Sequence, residues 1–224
     1  MQLKKYYLYA IDCNNGKPFN TEKTLLKLEQ ILKSGYILSR RKLGDIDPKK
    51  GGWNGFDYIS LCDYLNKDAE PYENNHFYKG YTAYEIYISS SLSLILNKKG
   101  MNVVKPELMP PAIFDWNSLE EMRILGNHST RRFSDLPDEI QVKNRISLKK
   151  LEGITLPISY MLDEKFKNIY SKEMIIIFLN EIKQMLEKYN MVVPIYDLFT
   201  TIELNNSEDI DFALKKINNN IRVI

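Results

Sequence analysis

The feature that most limits the fold is where the hydrophobic period changes along the chain. One helical repeat follows a first alternating stretch. Alternating stretches then dominate to about residue 160, and helical repeats return after that. LKKYYLYAID alternates and is rich in tyrosine, which predicts a strand over about Leu3 to Asp12. TEKTLLKLEQILKSG places Leu25, Leu28, Ile31 and Leu32 at helical spacing, with Thr21 as the cap and Gly35 as the stop. YILSRR reads as a short extended segment, and KLGDIDPKKGGWNG as a Gly- and Lys-rich loop.

FDYISLCDYL predicts a central strand over Tyr58 to Cys62. YTAYEIYISSSLSLIL fits one long strand or two short ones. MNVVKPELM reads as a strand ending before Pro110, and WNSLEEMRIL as a short helix. EIQVK and GITLP are strands, with a turn at ISLKKLE between them. KEMIIIFLNEIKQMLEKYN predicts an amphipathic helix over Lys172 to Tyr189, and SEDIDFALKKINN a second. VVPIYDLFTTI, between those helices, fits no single period. This order gives an α+β domain rather than alternating β-α units.

Composition removes several function classes. At 224 residues with 44% hydrophobic and 27% charged, the chain can bury a sizeable core. Its net charge of +2 provides no global field toward nucleic acid or membrane. Cys13, Cys62, His76 and His128 are too few and too scattered for a disulfide framework or a zinc site. The N-terminus lacks the apolar core of a secretory signal, and the longest apolar run, Met174 to Leu179, is far too short to span a bilayer. The expectation is a soluble protein of a reducing cytoplasm.

No Gly-rich dinucleotide or nucleotide loop is present, and neither HExxH nor GxSxG occurs. An enzyme of this sequence is therefore expected to work without metal. The residue that stands out is Glu139, at the mouth of a strand after the basic loop HSTRRFSD. A carboxylate there can orient a sugar hydroxyl or stabilise an oxocarbenium-like cation, as glycosidic chemistry requires. The same residue also fits a solvated strand edge.

Three stretches in order carry a family resemblance: LEQILKSGYILSRRKLG, DYISLCDYL and DEIQVKNRISLKKLEGITLP. Together they resemble the ADP-ribosyltransferase superfamily, and more specifically the DarT-type toxins and related bacterial domains. The resemblance implies an ADP-ribosyltransferase-like split β-sheet core over residues 1–160. A C-terminal helical extension, 161–224, would pack on the same domain. It implies NAD as substrate, Glu139 as the catalytic glutamate, and Ser60 near the nicotinamide ribose. Arg40 and Arg41 would meet the NAD phosphates, because guanidinium forks suit phosphate oxygens. Tyr84 is picked from the run Tyr78, Tyr81, Tyr84 and Tyr87 as the residue that stacks on the dinucleotide. Arg131, Arg132 and Phe133 would recognise the acceptor.

Two departures from the family pattern stand out. Pro137 occupies the position two before Glu139, which argues against an arginine-modifying Glu-x-Glu pair. The first strand, YLYAID, lacks the His or Arg with which many relatives grip NAD. The implied activity is transfer of ADP-ribose to a macromolecular acceptor, DNA or protein, in a bacterial toxin, effector or defence setting. A toxin setting implies an antitoxin partner, and an effector can be delivered into a host or target cell. The alternatives are an NAD glycohydrolase, in which water is the acceptor, and an inactive binding module on the same fold.

Overall fold

The structure, a computed structural model, describes residues 6–11, 19–44, 57–63, 91–103, 139–162 and 169–221; for Asp63, Glu139, Ser159, Tyr160 and 217–221 it describes the backbone. Its elements run β1 (Tyr6–Ala10), α1 (Thr21–Ser34), β2 (Tyr36–Leu38), β3 (Tyr58–Asp63), β4 (Ser93–Asn97), β5 (Glu139–Lys143), β6 (Arg145–Ser147) and β7 (Leu151–Leu156). The short α2 (Ile158–Met161), α3 (Lys172–Lys188), β8 (Ile195–Asp197) and α4 (Ser207–Ile221) follow. The fold is α+β: a six-stranded sheet in the order β5-β3-β1-β4-β7-β8, a separate two-stranded sheet β2-β6, and C-terminal helices.

Each long helix begins at a polar side chain that accepts otherwise unpaired N–H groups of the first turn. Asn20 Oδ1 accepts from Lys23 N at 2.8 Å, so Asn20 rather than Thr21 caps α1. Its side chain reaches the third N–H, while Thr21 already lies inside the helix. Gly35, at φ 70°, stops that helix as expected, in a left-handed conformation that costs glycine nothing. Ser171 caps α3 through Met174 N at 3.2 Å. Asn206 accepts from Glu208 N and Asp209 N, and Asp209 Oδ2 accepts from Asn205 N and Asn206 N in return.

Alternation divides the large sheet into two faces. On one, Ile140, Ile59, Leu61, Leu94, Leu96, Ile154 and Ile195 are buried beneath the apolar stripes of α1 and α3. Leu28 and Leu32 come from α1; Ile175, Phe178, Ile182 and Leu186 come from α3. Phe178 and Tyr170 flank Phe19 at ring-centroid distances of 5.8 and 5.7 Å, and the Tyr170 hydroxyl donates to the Phe19 carbonyl at 2.7 Å. We call this the core face.

One segment differs from the sequence expectation, and another, which fits no single period, takes a definite form. ISLKKLE is not a simple turn: Arg145–Ser147 pairs with β2, and one 3-10 turn over Leu148–Lys150 leads into β7. Backbone pairing to the distant Tyr36–Leu38 decides this, a partner that local spacing does not reveal. VVPIYDLFTTI contains β8, which lies parallel to β7 through Ile154–Ile195 and Leu156–Asp197. The C-terminal portion therefore adds a strand to the large sheet as well as helices. Among the described residues Met101–Val103 are not strand, and the rest of MNVVKPELM lies outside them.

Candidate active site

The site is assembled by the pairing of β3 with β5. Their antiparallel register sets Cys62 opposite Glu139, Ser60 opposite Gln141, and Tyr58 opposite Lys143. All six positions share the second face of the sheet, because side chains alternate along each strand. Directly opposed Cβ atoms in such a pair stand about 4.5–5.5 Å apart, and diagonal neighbours about 7–8 Å. Position 139 is thus across from Cys62 and diagonal to Ser60. β5 is also an edge strand of the described sheet, so this row has one open flank.

The second face differs chemically from the core face. Leu8, Ala10, Cys62, Ile95 and Leu198 form a small buried apolar cluster, flanked by Tyr6, Tyr196 and Phe199. Polar groups are interleaved with it. Ser93 and Thr155 are fully buried, and Gln141 is 3% exposed. A glutamine in a buried strand interior is uncommon, because both ends of its amide need partners. Gln141, Ser60 and Cys62 are each engaged by neighbouring groups. Burial, with Glu203 and Tyr6 nearby, pushes the Tyr196 phenol above its ordinary value, so it stays protonated and able to donate.

Arg40 and Arg41 sit at the other end of the same strand pair. The Ser39 amide donates to the Asn144 carbonyl at 2.8 Å, and the Asn144 amide to the Asp57 carbonyl at 2.7 Å. Asn144 has φ 67° and turns the chain from β5 into β6. Arg41 Nε donates to Asp57 Oδ1 at 2.9 Å, with the arginine side chain 57% exposed. Arg40 heads the 3-10 turn over Arg41–Leu43, and its Nη1 is enclosed by protein. Lys143 is four residues along β5 from Glu139, about 13 Å at ~3.3 Å per residue. The fold therefore brings position 139 beside Ser60 and holds Arg40 and Arg41 one strand length away.

Tyr84, Arg131, Arg132 and Phe133 lie outside the described residues. Gln141 and Lys143 were not singled out from sequence. The signal for both is the alternation of EIQVK, which puts 139, 141 and 143 on one side of a strand. Asp57 gives no such signal, since its partner Arg41 is distant in the chain. The buried carboxylate of Asp197 belongs to the scaffold. It accepts from Thr200 N and Thr200 Oγ1, both at 2.7 Å, and from Ile158 N at 3.3 Å. Burial pushes its carboxyl up, and those hydrogen bonds partly oppose the shift.

Among the described residues no three His, Cys, Asp or Glu side chains are grouped to hold a metal ion. No described helix is long and apolar enough to cross a membrane. No family model and no curated protein matches the chain. Among solved structures, the chain is similar to Thermus sp. 2.9 DarT in complex with NAD+, at 13% identity and a TM-score of 0.38. That match covers 87% of this chain and 95% of the other. The functional reading accordingly rests on this chain's own residues.

Proposed function

We propose that this chain is an NAD-dependent ADP-ribosyltransferase that passes ADP-ribose to a macromolecular acceptor, nucleic acid or protein, as a bacterial toxin, effector or defence protein. One observation carries the reading. Glu139 and Ser60, chosen from separate stretches of sequence, occupy neighbouring strands on one face, diagonal to each other. That face also holds the buried amide of Gln141.

In the proposed reaction the bond between nicotinamide and C1′ of its ribose breaks. Its electron pair leaves with the nicotinamide nitrogen, and positive charge develops on the ribose. The Glu139 carboxylate stabilises that cation. The acceptor nucleophile then attacks C1′ and loses its proton. Ser60 serves as a polar group for the ribose hydroxyls, with the buried Gln141 opposite it in register. Arg40 and Arg41 supply guanidinium groups for the diphosphate, with Arg41 held in place by Asp57.

A second reading is a module that binds without turnover. The composition of β1 favours it: Tyr6, Leu8 and Ala10 face the site and carry no cation. Nicotinamide release by the parent and by Glu139→Ala, with and without cell lysate, separates the readings. Transfer predicts release that needs lysate and falls by about 10²–10³-fold in the variant. Equal release without lysate identifies water as the acceptor. No release and no NAD binding by calorimetry overturns the enzymatic reading.

A further inference from the structure

A cleft of about 440 Å³ opens where β5 turns into β6, against the turn that follows β4. Its charged lining is Lys143, Arg145 and Lys150, and none of its lining residues is acidic. The chain as a whole carries 31 Lys+Arg against 29 Asp+Glu, so this concentration of charge is local.

Two of the three cations are positioned by groups that leave their charge intact. The Arg145 guanidinium lies over the Tyr36 ring, 4.9 Å from its centroid. Lys150 Nζ donates to the Lys99 carbonyl and rests against Gly100. Gly100 has φ 68°, and a Cβ there would stand 3.7 Å from that ammonium. Lys143 is exposed. Among the described residues none of the three forms an ion pair with a carboxylate. Like charges gathered on one cleft repel one another, and a bound anion relieves that repulsion.

The donor set narrows the anion. One planar guanidinium and two ammonium groups suit a polyanion with several oxygens better than a single carboxylate. Asn102 and Asn144 also line the cleft and add amide donors. Met101, Val142 and Ile146 form an apolar wall beside the cations. The volume lies in the range of small-molecule sites.

We propose that this cleft binds the diphosphate group of a small molecule, either free pyrophosphate or a nucleoside diphosphate. The cleft lies at the far end of β5, about 13 Å along the strand from position 139, and its Asn144 borders the segment that carries Asp57; the proposal does not depend on the NAD reading.

Calorimetric titration with inorganic pyrophosphate, with ADP and with a short single-stranded oligonucleotide tests the proposal. The parent should bind pyrophosphate and ADP, more weakly as salt rises. Arg145→Gln and Lys150→Gln should each weaken binding by about tenfold, and the double variant should abolish it. Lys143→Arg, which keeps the charge, should retain binding of both anions, and Glu139→Ala should bind as the parent does. ADP binding more tightly than pyrophosphate identifies a nucleotide that uses the apolar wall; equal affinities identify the bare diphosphate. Circular dichroism checks that each variant is folded. The proposal is overturned if the parent binds neither small anion, if the folded double variant binds both unchanged, or if the oligonucleotide alone binds.

Discussion

The two faces of the large sheet use the same strands and reach opposite ends. The core face is mostly hydrocarbon from β5 to β8, broken by Tyr7 and Tyr9 on β1 and by the buried Asp197 on β8, and it is sealed by α1 and α3. The second face breaks its apolar cluster with Ser60, Ser93, Gln141 and Thr155, and it carries position 139 at its edge. A face built for burial gains little from a buried amide, which must keep its hydrogen bonds to avoid a desolvation cost. Strand alternation lets one chain build both. On β3 and β5 the residues of the sealed core and the row that holds Ser60 and position 139 differ by a single step along the strand.

Substitutions on each face sharpen that contrast. The largest effect is expected at Phe178, buried on α3 between the aromatic cluster and the sheet. Phe178→Ala should cost about 3–5 kcal/mol in urea unfolding by removing a large buried side chain and leaving a cavity. A loss below 1 kcal/mol would mean that α3 does not seal the core face.

Gly153 probes the second face. A Cβ there would stand 3.1 Å from Ile95 Cδ1, 3.1 Å from the Pro194 carbonyl oxygen and 3.3 Å from Tyr196 Cε2. The Pro194 carbonyl accepts the Ile154 amide at 3.0 Å, so added bulk pushes directly on the seam between β7 and β8. Gly153→Ala should destabilise by about 1–3 kcal/mol, read from thermal and urea midpoints. Amide exchange in β8 should speed up before exchange in β3 does, and uniform acceleration across the sheet would contradict a local seam.

The smallest effect is a pH dependence from Asp197. Its folded carboxyl titrates above the ordinary value because burial disfavours the charged form. Between the unfolded and the raised folded pKa, the native state holds more protons than the unfolded state. Stability from this group therefore rises as pH falls through the folded pKa toward the ordinary carboxylate range. It declines as pH rises back through that window. The urea midpoint of the parent should rise relative to that of Asp197→Asn as pH falls through the mildly acidic range. Parallel profiles would remove Asp197 from the account.

Much of this organisation was legible in local sequence. The helical spacing in TEKTLLKLEQILKSG and KEMIIIFLNEIKQMLEKYN set both sealing helices, because an apolar stripe at that period must find a partner surface. Glu139 stood out because the alternation of EIQVK begins at it, and β5 begins there. Cap identity was missed by one residue, since Asn20 and Thr21 are both competent caps and backbone geometry chooses between them.

What remained undecided by sequence was long-range. The pairing of β6 with β2, the parallel docking of β8, the Arg41–Asp57 contact and the convergence of Lys143, Arg145 and Lys150 all join residues that no local period connects. By itself the sequence determined the α+β class, the sealing helices and the strand that opens with Glu139. Tertiary structure decided which strand lies beside that glutamate and which cations share a cleft. The physical reason is that periodicity reports which side of an element is buried, whereas register and chain reversal determine what it is buried against.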